Sequence, residues 1–360
     1  MTHILRSPAL LTLVLALTGC ASPTYYLHAL SGQMDVLAKR RPVAAVLKDP
    51  ATTTQTKQQL ELVLRLREFA SRELLLPDNS SYRSYADLER PFAVWNVFAT
   101  PELSLEPKKW CFIVAGCVPY RGYFARDKAE QFAASMKQRG ADVYVGGVPA
   151  YSTLGWFNDP LLNTFITRSE AELAGLLFHE LAHQKLYVSG DSAFNESFAT
   201  VVELEGVKRW FQQSGKAKET TAYMEKIKRR EEFTSLVLKH RARLQEIYSS
   251  NLSDAEKRAA KARVFEELRG DYASLKASWN GYAVFDNWFK QDLNNAHLAA
   301  IGLYSQYVAA FQKLLGQQGG NLAGFYRAVE NTTRLPKPER EAAIKASDTS
   351  ENFIDQSAAR

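Results

Sequence analysis

The segment His179-Glu180-Leu181-Ala182-His183 constrains this chain more than any other feature. Residues i and i+4 of an α-helix lie on one face, so a helical segment would point both imidazoles at one metal ion. Glu180 would then face a water molecule bound to that metal. This pattern is typical of zinc peptidases, in which the carboxylate acts as the general base. The alternative is a histidine pair that only packs or forms hydrogen bonds.

The surroundings of the motif favour a helix. Ser169 and Glu172 have the spacing of a capping box, which predicts a helix start at Ser169. Gly190 is a natural stop after the motif. An apolar stripe at helical spacing lies between them, formed by Leu173, Leu176, Leu177, Leu181 and Leu186.

A catalytic zinc ion takes three protein ligands and leaves one position open for water. A second helical pattern begins near Asn195, and Glu196 is the predicted third ligand, for one Zn²⁺ per chain. Glu203 lies two turns further along the same face, and it is predicted, with Asn195, to support the ligands from behind. The alternative for Glu196 is a solvated carboxylate at a helix start. Asp191 and Glu205 are weaker alternatives for the supporting role.

The oxyanion of a tetrahedral intermediate needs a further hydrogen-bond donor. The tract from residue 293 to 307 offers three candidates, namely Tyr304, Tyr307 and His297, of which Tyr304 is preferred. The alternative is that these tyrosines belong to the core of an amphipathic helix.

The N-terminus predicts export and lipidation. Residues 1–19 have the basic and apolar regions of a secretory signal, and they end in a lipobox, Leu17-Thr18-Gly19-Cys20. Cys20 would become the acylated first residue, and Ala21 after it favours the outer membrane, facing the periplasm. The alternative is an ordinary signal sequence with an incidental cysteine.

Two cysteines remain once Cys20 is assigned to the lipid. Cys111 and Cys117 form an even remainder in an exported chain, which predicts a disulfide across a short hairpin. The alternative is two separate buried thiols.

Composition indicates a folded globular protein without a nucleic-acid signature. The chain has 360 residues, of which 46% are hydrophobic, and a formal net charge of +6 with basic and acidic residues interspersed. The predicted fold is α+β and predominantly helical, with a small sheet beside the metal helices and a projecting charged hairpin of helices. Little order is expected after Pro336. The predicted parts are N-terminal helices (24–85), a sheet with a substrate loop (90–165), metal helices (168–213), the hairpin (217–275), C-terminal helices (286–332) and a tail (346–360), with one peptidase domain spanning 20–345.

Several segments together resemble a family of bacterial lipoproteins labelled predicted aminopeptidases, with a short gluzincin pattern. The resemblance spans nearly the whole mature chain. It implies a zincin-like core, zinc held by His179, His183 and Glu196, and Glu180 as catalytic acid and base. The segments that carry it are 110–112, 116–124, 146–157, 179–183, 195–199 and 294–296.

The resemblance also suggests where substrate binds, because gluzincins bind the peptide backbone along a sheet edge. Gly146 and Gly147 would permit close backbone approach, while Tyr151 or Trp156 could line a side-chain pocket. The alternative is a purely structural turn. The acid that would hold the substrate's amino group is open, with Asp159, Asp191 and Glu203 as candidates.

The leading interpretation is a lipid-anchored zinc metallopeptidase, most simply an aminopeptidase acting on peptides. One alternative is an endopeptidase or a cell-wall peptide hydrolase. The other is a non-catalytic envelope scaffold that recruits a protein partner through residues 217–275. The intact Glu180 argues against the scaffold, since a structural metal site has no use for a base.

Overall fold

The computed structural model describes residues 23–112, 116–153, 157–302 and 307–349. The predicted signal peptide and Cys20 therefore lie outside the described residues. The helices are α1 (Pro23–Ala38), α2 (Val43–Lys48), α3 (Thr54–Arg72), α4 (Arg126–Lys137), α5 (Asn163–Ile166), α6 (Glu170–Lys185), α7 (Ser192–Gln213), α8 (Ala217–Ser249), α9 (Asp254–Ser278), α10 (Asp286–Phe289), α11 (Asn295–Gly302), α12 (Val308–Gln317), α13 (Leu322–Thr333) and α14 (Lys337–Thr349). Across these described ranges, no helix is both long enough and apolar enough to cross a membrane.

The strands form three small sheets. The strands are β1 (Arg41–Pro42), β2 (Ser84–Ala86), β3 (Val94–Pro101), β4 (Trp110–Phe112), β5 (Gly116–Val118), β6 (Arg121–Tyr123), β7 (Ala141–Val148) and β8 (Leu161–Leu162). One sheet has the order β1-β2-β8, another has the order β6-β3-β7, and the third pairs β4 with β5. The predicted α+β class with a predominance of helix is therefore confirmed.

The central strand β3 is buried on both faces because a helix covers each side of its sheet. Trp95, Val97 and Ala99 pack against α4 on one face. On the other face, Phe98 packs with Ala296 of α11. A strand buried on both sides reads as a continuous apolar run, which explains the sequence of β3.

The main core surrounds the two helices that carry the metal motif. Phe178 of α6 and Phe198 of α7 are fully buried in one cluster with residues of α3, α12 and α13. Phe198 stacks on Phe325 of α13 at a centroid distance of 5.8 Å. The motif therefore lies on helices that packing holds firmly on several sides.

The charged helical hairpin consists of α8 and α9, and Ser253 and Glu256 form the predicted capping box at the start of α9. The two helices share an apolar cluster that includes Val237 and Leu268. Lys261 of α9 contacts Asp142 of β7 at 2.6 Å. This contact ties the N-terminal part of α9 to the sheet, so the hairpin does not project freely there.

The chain continues in helical form beyond residue 336. Helix α14 covers Lys337–Thr349, and Arg340 and Ile344 are buried. The expectation of little order directly after Pro336 is therefore wrong. Charged residues obscure any amphipathic pattern in the sequence of α14, but the burial of Arg340 and Ile344 shows that one side of this helix packs against the protein.

Candidate metal and catalytic site

The first metal helix begins where the sequence predicts. The backbone N–H of Glu172 donates to Ser169 Oγ, and Glu172 Oε2 accepts from the backbone N–H of Ser169 at 3.3 Å. Helix α6 then runs to Lys185, five residues before Gly190. His179 and His183 share one face, with ring centroids 4.9 Å apart.

Helix α7 brings Glu196 to these two imidazoles. Glu196 Oε2 lies 3.2 Å from His179 Nε2 and 3.8 Å from His183 Nε2. One ligand atom from each residue lies within 4.8 Å of the others. Ligand atoms around a tetrahedral zinc ion lie about 3.3 Å apart, given metal–ligand bonds of about 2.0 Å. The three side chains therefore fit a zinc ion.

Glu203 holds the far side of His179. Its Oε2 lies 3.1 Å from His179 Nδ1, which leaves Nε2 to face Glu196. Tyr223 donates its hydroxyl to the same carboxylate at 3.4 Å. A Cβ atom on Gly175 would lie 3.2 Å from Glu203, so the missing side chain lets the carboxylate approach α6. Such a carboxylate fixes both the tautomer and the orientation of a ligand imidazole.

Asn195 supports the loop between the metal helices rather than a ligand imidazole. Its Oδ1 accepts from the N–H of Val188, and its Nδ2 donates to the carbonyl of Val188, both at 2.8 Å. The amide thereby closes the short connection between α6 and α7. The predicted supporting contact to an imidazole is made by Glu203 and not by Asn195.

Burial and charge set the protonation states at this site. Burial raises the pKa of Glu180 to about 7. Burial also lowers the pKa of His183 to about 4, so its imidazole is neutral, as a metal ligand must be. Burial opposes protonation of His179, but hydrogen bonds to Glu196 and Glu203 outweigh it and raise the pKa of His179 to about 10. Metal binding would therefore release a proton from His179.

Tyr120, which was not among the predicted catalytic residues, lies beside this site. It sits in the turn between β5 and β6, with its ring centroid 5.6 Å from that of Phe98. Burial, followed by the charges of Glu196, Tyr187 and Glu180, raises the pKa of the Tyr120 hydroxyl. Its segment belongs to the resemblance, but no local pattern links it to a motif far along the chain.

The hairpin before Tyr120 is closed by the predicted disulfide. Cys111 and Cys117 are bonded and lie opposite each other in the β4–β5 pair, so the disulfide prediction is confirmed. A Cβ atom on Gly116 would lie 2.5 Å from Ser189 Oγ and 2.7 Å from the backbone N of Gly190. The hairpin thus packs tightly against the loop between the metal helices.

The candidates for the oxyanion donor divide into three cases. Tyr304 lies outside the described residues. Tyr307 is buried in the main core, and its backbone N–H donates to Ser197 Oγ at 3.1 Å. His297 packs against Tyr144 with a centroid distance of 4.4 Å and lines a cavity of about 340 Å³ between α4 and α11. That cavity includes none of the three predicted metal ligands.

The predicted substrate residues have structural contacts of their own. Gly146 and Gly147 pair with Asn96 and Trp95 in the antiparallel β3–β7 ladder. A Cβ atom on Gly147 would lie 2.4 Å from the Phe92 ring, so a larger residue there would displace that ring. The other two predicted substrate residues are Tyr151 and Trp156. Tyr151 donates its hydroxyl to Gln33 at 2.7 Å, and Trp156 lies outside the described residues. Their substrate contacts stay predictions.

The carboxylates considered for the substrate's amino group are engaged elsewhere. Asp159 accepts from the N–H and the hydroxyl of Thr153 at 3.0 and 2.7 Å, and from Gln184 at 3.3 Å. Burial raises the pKa of Asp159 to about 6. Asp191 accepts from Arg340 at 2.8 Å inside the protein. Both side chains, like Glu203, hold the metal helices in place.

Comparison with known proteins gives one assignment. No curated protein and no solved structure is significantly similar to the chain. A family model described as "Putative aminopeptidase" matches residues 24–344, which include α6, α7 and the Tyr120 turn. Because this match covers most of the sequence, the chain belongs to that aminopeptidase family.

Proposed function

We propose that this protein is a zinc metallopeptidase with a zincin-like core, holding one Zn²⁺ through His179, His183 and Glu196. The observation that carries the proposal is the convergence of two imidazoles and one carboxylate within 4.8 Å beside a buried glutamate. When bound, zinc would lower the pKa of a water molecule and polarise the scissile carbonyl. Two imidazoles and a carboxylate suit zinc among the divalent metals.

The protein's own groups would then move protons and orient the reacting parts. Glu180, whose pKa burial raises to about 7, would accept a proton near neutral pH and return it to the leaving amine. Glu203 would keep His179 in its ligand orientation. Tyr120 would stay protonated and could donate its hydroxyl to the oxyanion, since burial and nearby carboxylates oppose its ionisation.

The family supports an aminopeptidase, and one observation keeps an endopeptidase as the second candidate. Aminopeptidase action needs an acidic group that binds the substrate's α-ammonium. Asp159, Asp191 and Glu203 are all engaged in contacts that hold the fold. An endopeptidase, or an enzyme that cleaves cell-wall peptides, needs no such acid.

The proposed setting is the cell envelope. Acyl chains on Cys20 would anchor the protein, on the outer membrane and facing the periplasm. The substrate would be a peptide in that compartment. We assign no protein partner to the α8–α9 hairpin.

Metal analysis of purified protein tests the proposed site. About one zinc per chain is expected in the wild type. His183→Ala and Glu196→Ala should lose most of it, while Glu205→Gln should not, because Glu205 pairs with Arg209 on the same helix. A wild type that takes up no zinc when zinc is added would overturn the proposal.

Activity assays separate the remaining alternatives. Glu180→Gln should keep zinc and lose hydrolysis by several orders of magnitude, because the amide cannot accept the proton. Matched fluorogenic peptides with free and acetylated N-termini then distinguish the two enzymes. An aminopeptidase cleaves only the free peptide, whereas an endopeptidase cleaves both. Hydrolysis that survives Glu180→Gln would exclude the proposed mechanism.

A further inference from the structure

Helix α1 carries an apolar stripe on its solvent side. Four of the eleven large apolar side chains that are exposed among the described residues belong to this one helix: Tyr26, Leu27, Leu30 and Met34. The other seven are scattered over the rest of the described chain. Residues 23, 27, 30, 34 and 38 follow the i, i+4, i+7 spacing of one helix face, and all five are exposed. We call Pro23, Leu27, Leu30, Met34 and Ala38 the outer stripe.

The outer stripe is free of charge. Asp35 is the only Asp, Glu, Lys or Arg in α1, and its position lies to the side of the stripe. A helix that faced only water would carry polar groups on this side. A contiguous exposed apolar strip therefore marks a surface that meets another apolar medium.

The inner side of α1 is fixed to the protein body. Tyr25 donates its hydroxyl to the carbonyl of Gly122 at 3.0 Å, and Gln33 accepts from the Tyr151 hydroxyl at 2.7 Å. Val36 is fully buried in the main core. Whatever the outer stripe contacts is therefore held in a fixed orientation relative to the sheet and the core.

We infer that the outer stripe lies on the membrane that holds the acyl chains of Cys20, an inference that rests on the proposed lipid anchor. Only two residues, Ala21 and Ser22, lie between Cys20 and Pro23, and the three residue steps from Cys20 to Pro23 span at most about 10 Å even in extended chain. The start of α1 must then lie at the bilayer surface. A helix of 16 residues is about 24 Å long, and lying flat it would press the stripe into the interface between headgroups and acyl chains.

This contact would orient the whole protein rather than merely tether it. An acyl anchor on a flexible leader leaves a protein free to tumble. Two attachments, the acylated Cys20 and the outer stripe, would instead fix the side of the fold that carries β6 against the bilayer. The membrane is the occupant we assign, because the anchor brings it there without any further partner.

A fluorescent probe on the full lipidated chain tests the inference. Cys111 and Cys117 are joined in a disulfide, so with Cys20 acylated a cysteine introduced as Leu30→Cys is the only free thiol. The variant, labelled with an environment-sensitive dye, is placed in vesicles of phosphatidylethanolamine and phosphatidylglycerol. The control is Leu252→Cys, at an exposed leucine in the turn between α8 and α9.

We expect the dye at residue 30 to emit at shorter wavelength and to be quenched severalfold more strongly by doxyl-labelled lipid than the dye at residue 252. Equal quenching at the two positions, in protein whose acyl chains are confirmed by mass, would overturn the inference. An equal blue shift without vesicles would also overturn it, in favour of a second copy of the chain on the stripe. Protein whose mass lacks acyl chains would instead show that the proposed anchor fails.

Discussion

At the scale of single residues, the contact between Glu203 and His179 provides a test of the proposed zinc site. Glu203→Gln keeps the shape but removes the charge that favours the Nδ1–H tautomer of His179. We expect zinc affinity to fall about tenfold, at the lower end of the effect of such outer carboxylates. Competition with a chelator measures it, with Glu205→Gln as the control. Unchanged affinity would mean that packing alone orients His179.

Asp159 gives a pH-dependent prediction about stability. Burial raises its pKa from 3.8 to about 6, so the folded state binds its proton more tightly than the unfolded state does. Stability from this group is complete below pH 4 and falls as the pH rises towards 6. The rise in the pKa of Asp159 from 3.8 to about 6 corresponds to at most about 3 kcal/mol of unfolding free energy.

The Asp159→Asn variant isolates this effect, because its amide does not titrate. We expect the wild type to lose stability relative to the variant between pH 4 and pH 7, as measured by urea unfolding of both proteins. A difference in unfolding free energy that stays constant with pH would show that Asp159 is not buried as described.

The sequence alone predicts those site residues that lie a few positions apart on one helix. The spacing of His179 and His183 places them on one helix face, and Glu203 follows Glu196 by two turns, so helical geometry suffices. Tyr120 could not be found in this way. Its place near the candidate site depends on how a hairpin packs against the loop between two distant helices, and no local pattern encodes that packing.

At the scale of elements, the β4–β5 hairpin links the disulfide to the candidate site. Closing a loop of about seven residues stabilises a protein by about 2 kcal/mol in the chain-entropy description. In the Cys111→Ser, Cys117→Ser variant, we expect zinc to stay bound and peptide hydrolysis to slow, because the turn that holds Tyr120 loosens. Tyr120→Phe is the matched control for the hydroxyl itself. Unchanged hydrolysis in both variants would remove Tyr120 from the mechanism.

Helices with capping signals could be predicted, and elements made by distant contacts could not. Ser169 and Ser253 each begin a helix with a capping box, which two residues suffice to signal. Strands β1 and β8 have two residues each, too few for an alternating pattern. Helix α14 is rich in charged residues, and the burial of Arg340 and Ile344 reveals its inner face once the fold is known.

At the scale of the whole molecule, a buried ion pair joins α14 to the start of α7. Arg340 Nη2 lies 2.8 Å from Asp191 Oδ2, and both side chains are shielded from solvent. Removing one partner of a buried pair costs about 3 kcal/mol. We expect Arg340→Ala to lower the free energy of unfolding by this amount and to weaken zinc binding, since Glu196 lies one turn beyond Asp191.

Chemical denaturation and chelator competition on the same variant test both effects. Arg334→Ala, another arginine in the C-terminal region, serves as the control. Loss of stability with unchanged zinc affinity would confine the role of the pair to the fold.

The same ion pair sets an order of events during biosynthesis. A polypeptide that crosses a membrane from its N-terminus delivers the histidines and Glu196 long before Arg340 emerges. Until Arg340 emerges, Asp191 lacks this ion-pair partner. The start of the helix that carries Glu196 is then not yet held in its final position. If the chain is exported and binds zinc as proposed, we expect the nascent chain to bind the metal firmly only after residue 340 has crossed the membrane, so that hydrolysis would begin only when translocation is nearly complete.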